Sequence, residues 1–117
     1  MKKLKLELDA MVATAEVEFF APVESTEPLR LVLSSLIDTL CRQLGQRQHL
    51  CARLRLLLVV DGINPHEDAR EVRPAPPTAD ARVLADLCRR ALEAPPPDGP
   101  LRGLRLEAVD VEAACTG

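Results

Sequence analysis

Apolar residues recur along this chain with two different periods, and the period changes several times within a short sequence. Residues 28–44 place apolar side chains at i, i+3, i+4 and i+7, which predicts an amphipathic helix. The stripe consists of Leu29, Val32, Leu33, Leu36, Ile37, Leu40 and Leu44. A second stripe of this kind consists of Val83, Leu84, Leu87, Cys88, Ala91 and Leu92. Each predicted helix therefore has one apolar face to bury.

Segments with a period of two flank these helices and predict strands. They cover residues 15–21, residues 53–60, a short run at residues 70–73 after a loop over residues 61–69, and residues 101–111. In chain order the elements are β-α-β-β-α-β. We expect an α+β fold, a four-stranded antiparallel sheet with two helices packed on one face, so that the other sheet face stays open for function. The pattern leaves the strand order undecided, and a ferredoxin-like order is one alternative.

Capping and breaking residues predict where the helices begin and end. Ser25 or Thr26 is expected to cap the first helix, and Gly45 is expected to end it in a left-handed conformation. Thr78 is expected to cap the second helix, and the prolines at 95–97 end it. Residues 3–8 also alternate, so residues 1–14 form either a leader or an extra edge strand. The domain proper is expected at residues 15–112, followed by a tail at 113–117.

Composition narrows the function classes. With 117 residues and 47% hydrophobic content, the chain suffices for one domain with one core. A net charge of −3 argues against indiscriminate nucleic-acid binding by the whole surface, and two aromatic residues, Phe19 and Phe20, argue against base stacking. Neither a signal peptide nor a membrane-length apolar run is evident in the sequence, which predicts a soluble, cytoplasmic protein without membrane partners.

The residues that usually carry chemistry form no recognisable set. Cys41, Cys51, Cys88 and Cys115 lack the spacing of a zinc site, and Cys41 and Cys88 are expected to be packed as small buried thiols. His49 and His66 fall in predicted loops without a nucleophile and acid at catalytic spacing. We therefore expect no enzymatic activity, cofactor, metal or small-molecule substrate.

Several segments in sequence order resemble one known family. They are PVESTEPLRLVLSSLIDTLCRQL, ARLRLLLVVDG, REVRPAPPTADARVLADLCRRALE and GLRLEAVDV, and they span roughly residues 15–112. Together they resemble the little-finger domain of Y-family translesion DNA polymerases, most closely the catalytically degenerate, ImuB-like branch. The resemblance implies a non-catalytic accessory domain that lies along template-primer DNA during lesion bypass, at the nucleoid. The family's catalytic carboxylates lie in palm and finger domains that this sequence does not contain.

The resemblance directs attention to the arginines of the open sheet face. Arg53, Arg55, Arg73, Arg102 and Arg105 are the candidates for contact with the backbone of double-stranded DNA, because a planar guanidinium donates paired hydrogen bonds to phosphate. Such contacts carry little sequence information. The same face is expected to carry Glu16, Glu18, Glu71 and Glu107, which oppose phosphate, and Arg55, Arg105 and Glu107 can instead pair with one another across the sheet.

An alternative interpretation makes this domain a protein-interaction module. Leu57 and Val59 are expected to point outward on the open face, and exposed apolar residues beside charges are typical of a protein interface. The partner would be another translesion or replication protein. The family's clamp-binding peptide, Gln-Leu-x-Leu-Phe, has no copy in this sequence. A third class, a small enzyme or ligand-binding domain, would need a clustered site, and the sequence indicates none.

Overall fold

The structure, a computed structural model, describes residues 13–114 and contains the six predicted elements in the predicted order. They are β1 (Thr14–Val23), α1 (Thr26–Gln46), β2 (His49–Val60), β3 (His66–Val72), α2 (Ala81–Glu93) and β4 (Leu101–Ala113). The expected edge strand at residues 3–8 lies outside the described residues. No helix within residues 13–114 is long and apolar enough to cross a membrane.

The strands form one antiparallel sheet in the order β1-β4-β2-β3. The second and fourth strands are therefore central, whereas a ferredoxin-like order would place the first and third strands there. The central strands contribute unbroken series of buried apolar residues, while the edge strands are more polar. The order that the sequence left open follows this difference, because the most apolar strands gain most from two neighbours.

Both helices pack on the same face of the sheet and enclose a core made mostly of leucine. Alternate residues of β2 and β4 point into this core, and the helical stripes cover them. The largest fully buried side chains are Leu29, Leu33, Ile37, Leu40, Leu44, Leu54, Leu56, Leu58, Leu84, Leu92, Leu101 and Leu104. Burial of each contributes about 1.5–3 kcal/mol of transfer free energy. Val83, predicted on the buried stripe of α2, is instead 42% exposed.

Three expectations about helix ends need correction. Gly45 does not end α1; it lies inside the helix, and the left-handed residue is Gln48, with φ of 56°. Ser25 occupies the N-cap position of α1, but its side chain makes no capping hydrogen bond. Asp80, not Thr78, caps α2 by accepting a hydrogen bond from the backbone of Arg82 at 2.9 Å. A carboxylate at this position also interacts favourably with the positive end of the helix dipole.

The third strand is longer than the sequence indicated. The loop was predicted over residues 61–69, yet β3 begins at His66 and pairs with β2 from Val60↔His66 to Leu54↔Val72. The turn is correspondingly short and contains Gly62 at φ 107°. The polar residues at the start of β3 have no alternating apolar pattern that would predict a strand. They form one because pairing with the apolar β2 satisfies their backbone N–H and C=O groups.

Candidate nucleic-acid interface

The open sheet face is organised in cross-strand rows, because side chains alternate between the two faces of each strand. In one row Glu107 of β4 lies between Thr14 of β1 and Arg55 of β2. In the next row Arg105 lies between Glu16 and Leu57. Charged side chains of opposite sign are therefore neighbours along and across the strands.

Arg55, Glu107 and Arg105 form the first of two ion-paired groups on this face. Arg55 Nη1 donates to Glu107 Oε1 at 3.3 Å, and Arg105 Nε lies 3.2 Å from Glu107 Oε2. Arg105 Nε also lies 3.4 Å from Glu16 Oε1. We call Arg55, Glu107 and Arg105 the first bracket. The expectation that these residues pair across the sheet is confirmed.

Arg53, Glu71 and Arg73 form the second bracket with the same design. Arg53 Nη1 donates to Glu71 Oε2 at 3.2 Å, while Arg73 Nη2 lies 3.6 Å from Glu71 Oε1. Arg53 stands in a stretch of β2 where the register with β4 shifts, and Arg73 directly follows β3. In each bracket one glutamate contacts two arginines. Glu16 adds a second carboxylate beside Arg105, so an excess of positive charge remains in the second bracket and not in the first.

Arg102 is placed differently from the other four candidate arginines. Val59 pairs with Gly103 and Val60 pairs with Leu101, so Arg102 is an extra residue bulged out of β4. Bulges re-aim side chains, and Arg102 turns toward a groove of about 550 Å³ on the open face. Within the described residues its guanidinium has no acidic side chain within 4.0 Å.

The groove has apolar and acidic walls. Leu57 and Val59 line it from β2, as expected for outward-facing residues, and Phe20 of β1 lines it while its side chain is fully exposed. Glu18 and Glu67 stand on opposite sides, each aligned in the row that contains Gly103 and Val59. Glu67 was missed because its segment was predicted as loop. Phe20 was detectable, since alternation places it beside Glu16 and Glu18.

The family model for the impB/mucB/samB family C-terminal domain matches residues 13–115. The chain belongs to this family. The resemblance to little-finger domains of Y-family polymerases is thereby confirmed, while the ImuB-like branch stays a prediction.

Several solved structures of DNA polymerases or of their domains share the fold. The little finger domain of PolIV, in complex with the beta-clamp processivity factor, matches with a TM-score of 0.67 and 16% identity over 90% of each chain. A post-insertion binary complex of Dbh DNA polymerase matches with a TM-score of 0.63 and 8% identity, covering 86% of this chain and 29% of that chain. DinB from Sulfolobus solfataricus matches with a TM-score of 0.63 and 5% identity, covering 86% of this chain and 29% of that chain.

The TM-scores show a common fold, and the chain spans less than a third of the length of the two polymerases. No curated protein matches the chain at a significant level.

On the helical side of this C-terminal domain, Arg70 has a structural position. Its side chain is 11% exposed and pairs with Asp68 at 2.7 Å. Arg70 Nη1 donates to the carbonyls of Ala91, Leu92 and Pro95, at and just after the end of α2. A cation at this point satisfies free carbonyls and stabilises the negative end of the helix dipole. Sequence patterns did not predict this contact, because it joins residues more than twenty positions apart.

The three cysteines of the described residues differ in burial. Cys51 and Cys88 are fully buried and Cys41 is half-buried. Burial raises the pKa of Cys88 to about 12, and that of Cys51 and Cys41 to about 11. The prediction of a small buried thiol is confirmed for Cys88. Within residues 13–114, no group of three or more His, Cys, Asp or Glu is arranged to hold a metal ion.

Proposed function

We propose that this domain binds the backbone of duplex DNA through the open sheet face, as a non-catalytic accessory element of a Y-family polymerase-like protein in translesion synthesis. The proposed domain covers residues 15–112, and its site of action would be template-primer DNA at the nucleoid. The proposed contact residues are Arg53, Arg55, Arg73, Arg102 and Arg105.

The observation that carries the proposal is the concentration of arginines on one sheet face not covered by helices. Each guanidinium has five N–H groups, and the glutamates of the brackets engage only part of them. The side chains of the four bracket arginines are between 37% and 70% exposed, so phosphate oxygens can accept hydrogen bonds from the remaining donors. Family membership supports the same assignment, because the matching solved structures include DNA polymerases.

Binding of this kind is independent of base sequence. Phosphate contacts set the position of a protein on DNA, whereas base-edge contacts read sequence. Of the two aromatic residues, Phe19 packs against the core and Phe20 is exposed, so stacking contributes little. A lesion alters a base and leaves the phosphates in place, which makes backbone recognition suitable for damaged templates.

The test is a titration of a fluorescent primer-template duplex by the purified chain across a series of salt concentrations. The variant Arg53→Ala/Arg55→Ala/Arg105→Ala removes three arginines of the open face. The matched control, Arg42→Ala/Arg82→Ala/Arg90→Ala, removes three exposed arginines of the helices and changes net charge equally. Circular dichroism of all three proteins establishes that they are folded.

We expect affinity to fall steeply with salt and to be largely lost in the open-face variant. The plot of log affinity against log salt has a negative slope. In the open-face variant the magnitude of this slope should be smaller by roughly two to three, about one for each lost phosphate contact. The helix-face control should bind within about twofold of the wild type, since screening weakens the effect of distant charges. Equal losses in both variants, or no binding at low salt, would contradict the proposal.

A second candidate function is docking of another replication or repair protein in the groove beside Arg102. The exposed Phe20 and the outward-facing Leu57 and Val59 favour it, because apolar side chains beside charges are typical of protein interfaces. The beta clamp is the probe of choice, since the PolIV little finger forms a complex with it. Binding of the clamp that is lost in Leu57→Ser/Val59→Ser, with DNA affinity retained, would support this function.

A further inference from the structure

Each bracket on the open face has a glutamate at its centre, and the two carboxylate oxygens of that glutamate serve different arginines. In the first bracket, Oε1 of Glu107 accepts a hydrogen bond from Arg55, and Oε2 forms an ion pair with Arg105. In the second bracket, Oε2 of Glu71 accepts a hydrogen bond from Arg53, and Oε1 forms an ion pair with Arg73. The two glutamates lie on β4 and β3, the strands on either side of β2, so the arrangement occurs twice on this face.

Glu107 is the better shielded of the two central carboxylates. Its side chain is 19% exposed, compared with 39% for Glu71, and it lies on the central strand β4. The side chains of Arg55 and Arg105 remain 43% and 45% exposed. Glu107 therefore sits beneath two arginines that reach into solvent.

The contacts with Glu107 leave most arginine donors available. Arg105 Nε lies 3.2 Å from Glu107 Oε2 and 3.4 Å from Glu16 Oε1, and among the described residues Arg105 donates no hydrogen bond to an acidic side chain. Arg55 uses Nη1 and retains Nε and Nη2. Both guanidinium groups therefore contact the same carboxylate and retain donors for other acceptors.

Holding a long side chain in place before binding removes part of the entropic cost of binding. The cost for one mobile side chain corresponds to a factor in affinity of between about twofold and tenfold. We propose that Glu107 is a positioning residue, which orders Arg55 and Arg105 for contact with DNA phosphates. This inference rests on the proposed function.

The inference predicts a result opposite in sign to that of simple charge counting. Glu107 is negative and close to the proposed phosphate contacts, so charge alone predicts that its removal strengthens DNA binding. If Glu107 orders the arginines, its removal weakens binding. A glutamine is isosteric but has a single acceptor oxygen, and its NH₂ group faces the donors of the second guanidinium. Glu107→Gln therefore breaks the bracket with little change in shape.

The matched control is Glu18→Gln, which removes the same charge from the same sheet face. Glu18 aligns with Gly103 and has no arginine or lysine within 4.0 Å among the described residues. In the duplex titration we expect Glu18→Gln to bind more tightly than the wild type and Glu107→Gln to bind about threefold or more weakly. Glu71→Gln should show a smaller loss.

A second readout follows arginine order without DNA. In ¹⁵N spectra the Arg105 Nε–H resonance should be sharp in the wild type and in Glu18→Gln. It should shift and broaden in Glu107→Gln, because Nε lies 3.2 Å from the Glu107 carboxylate. Equal or tighter DNA binding by Glu107→Gln, or a mobile Arg105 side chain in the wild type, would overturn the inference while the DNA function stands. Absence of DNA binding by the wild type would overturn the proposed function and the inference with it.

Discussion

At the scale of single residues, the sheet depends on one close approach between strands. Gly103 of β4 lies against β1, where an added Cβ would come within 2.8 Å of the carbonyl oxygen of Val17. That oxygen belongs to the backbone, so the strands must separate to admit a methyl group. Gly103 also borders the groove and the bulge at Arg102.

We predict that Gly103→Ala lowers the free energy of unfolding by about 1–3 kcal/mol, as expected for overpacking. Urea unfolding followed by circular dichroism measures the change. The control is Gly45→Ala, because Gly45 lies in α1 with nothing within 4 Å of an added Cβ. An alanine there should raise stability by about 0.5–1 kcal/mol through helix propensity. Loss of stability in both variants to the same extent would contradict the steric explanation.

At the scale of elements, the two helices are joined by an ion pair as well as by their apolar faces. Arg30 Nε of α1 donates to Glu93 Oε2 of α2 at 2.8 Å. The hydrogen bond from Arg30 holds the pKa of the Glu93 carboxyl below its ordinary value. Since the folded-state pKa is depressed, the stabilisation is present above the unfolded-state pKa and is lost as pH falls through the folded-state pKa.

We predict that Glu93→Gln has a lower melting temperature than the wild type at about pH 7, and that the difference closes as pH falls toward about 3. Thermal unfolding at several pH values measures this. Glu112→Gln is the control, because Glu112 has no cation within 4.0 Å among the described residues. A deficit of Glu93→Gln that persists at acid pH would show that the ion pair is not its cause.

Some of the elements were predictable from hydrophobic periodicity and others were not. The stripes of α1 and the alternation of β2 and β4 predicted their buried faces, because these elements meet the core along their whole length. The start of β3 was not predictable, since its polar residues are strand only through pairing with β2. Gly45 failed as a stop signal because α1 continues to Gln46, and the left-handed position falls on Gln48.

The candidate site follows the same rule. Alternation within a strand was enough to place Arg53, Arg55, Arg105, Leu57 and Val59 on one face. The brackets depend on which strands are neighbours, so pairing of Arg53 with Glu71 could not be derived before the strand order and register were known. The turn of Arg102 toward the groove likewise depends on a bulge that only pairing reveals.

At the scale of the whole molecule, the single core makes thiol reactivity a measure of global unfolding. Cys51 and Cys88 lie between the sheet and the helices and are fully buried, and burial raises their pKa to about 11 and about 12. The thiolate is the reactive form, so both burial and protonation suppress reaction at neutral pH. A reagent then reaches these residues only when the core opens.

We predict that in the variant Cys41→Ser/Cys115→Ser, which leaves Cys51 and Cys88, modification by a disulfide reagent at about pH 8 accelerates with urea. The free energy of opening calculated from the modification rate should fall with urea with the same m-value as the equilibrium free energy of unfolding. The reason is that exposure of both thiols requires loss of the shared core. The single variant Cys115→Ser, in which the half-buried Cys41 remains, should add a faster phase with little urea dependence. A urea-independent rate for Cys88 would instead indicate that α2 separates from the sheet while the rest of the domain stays folded.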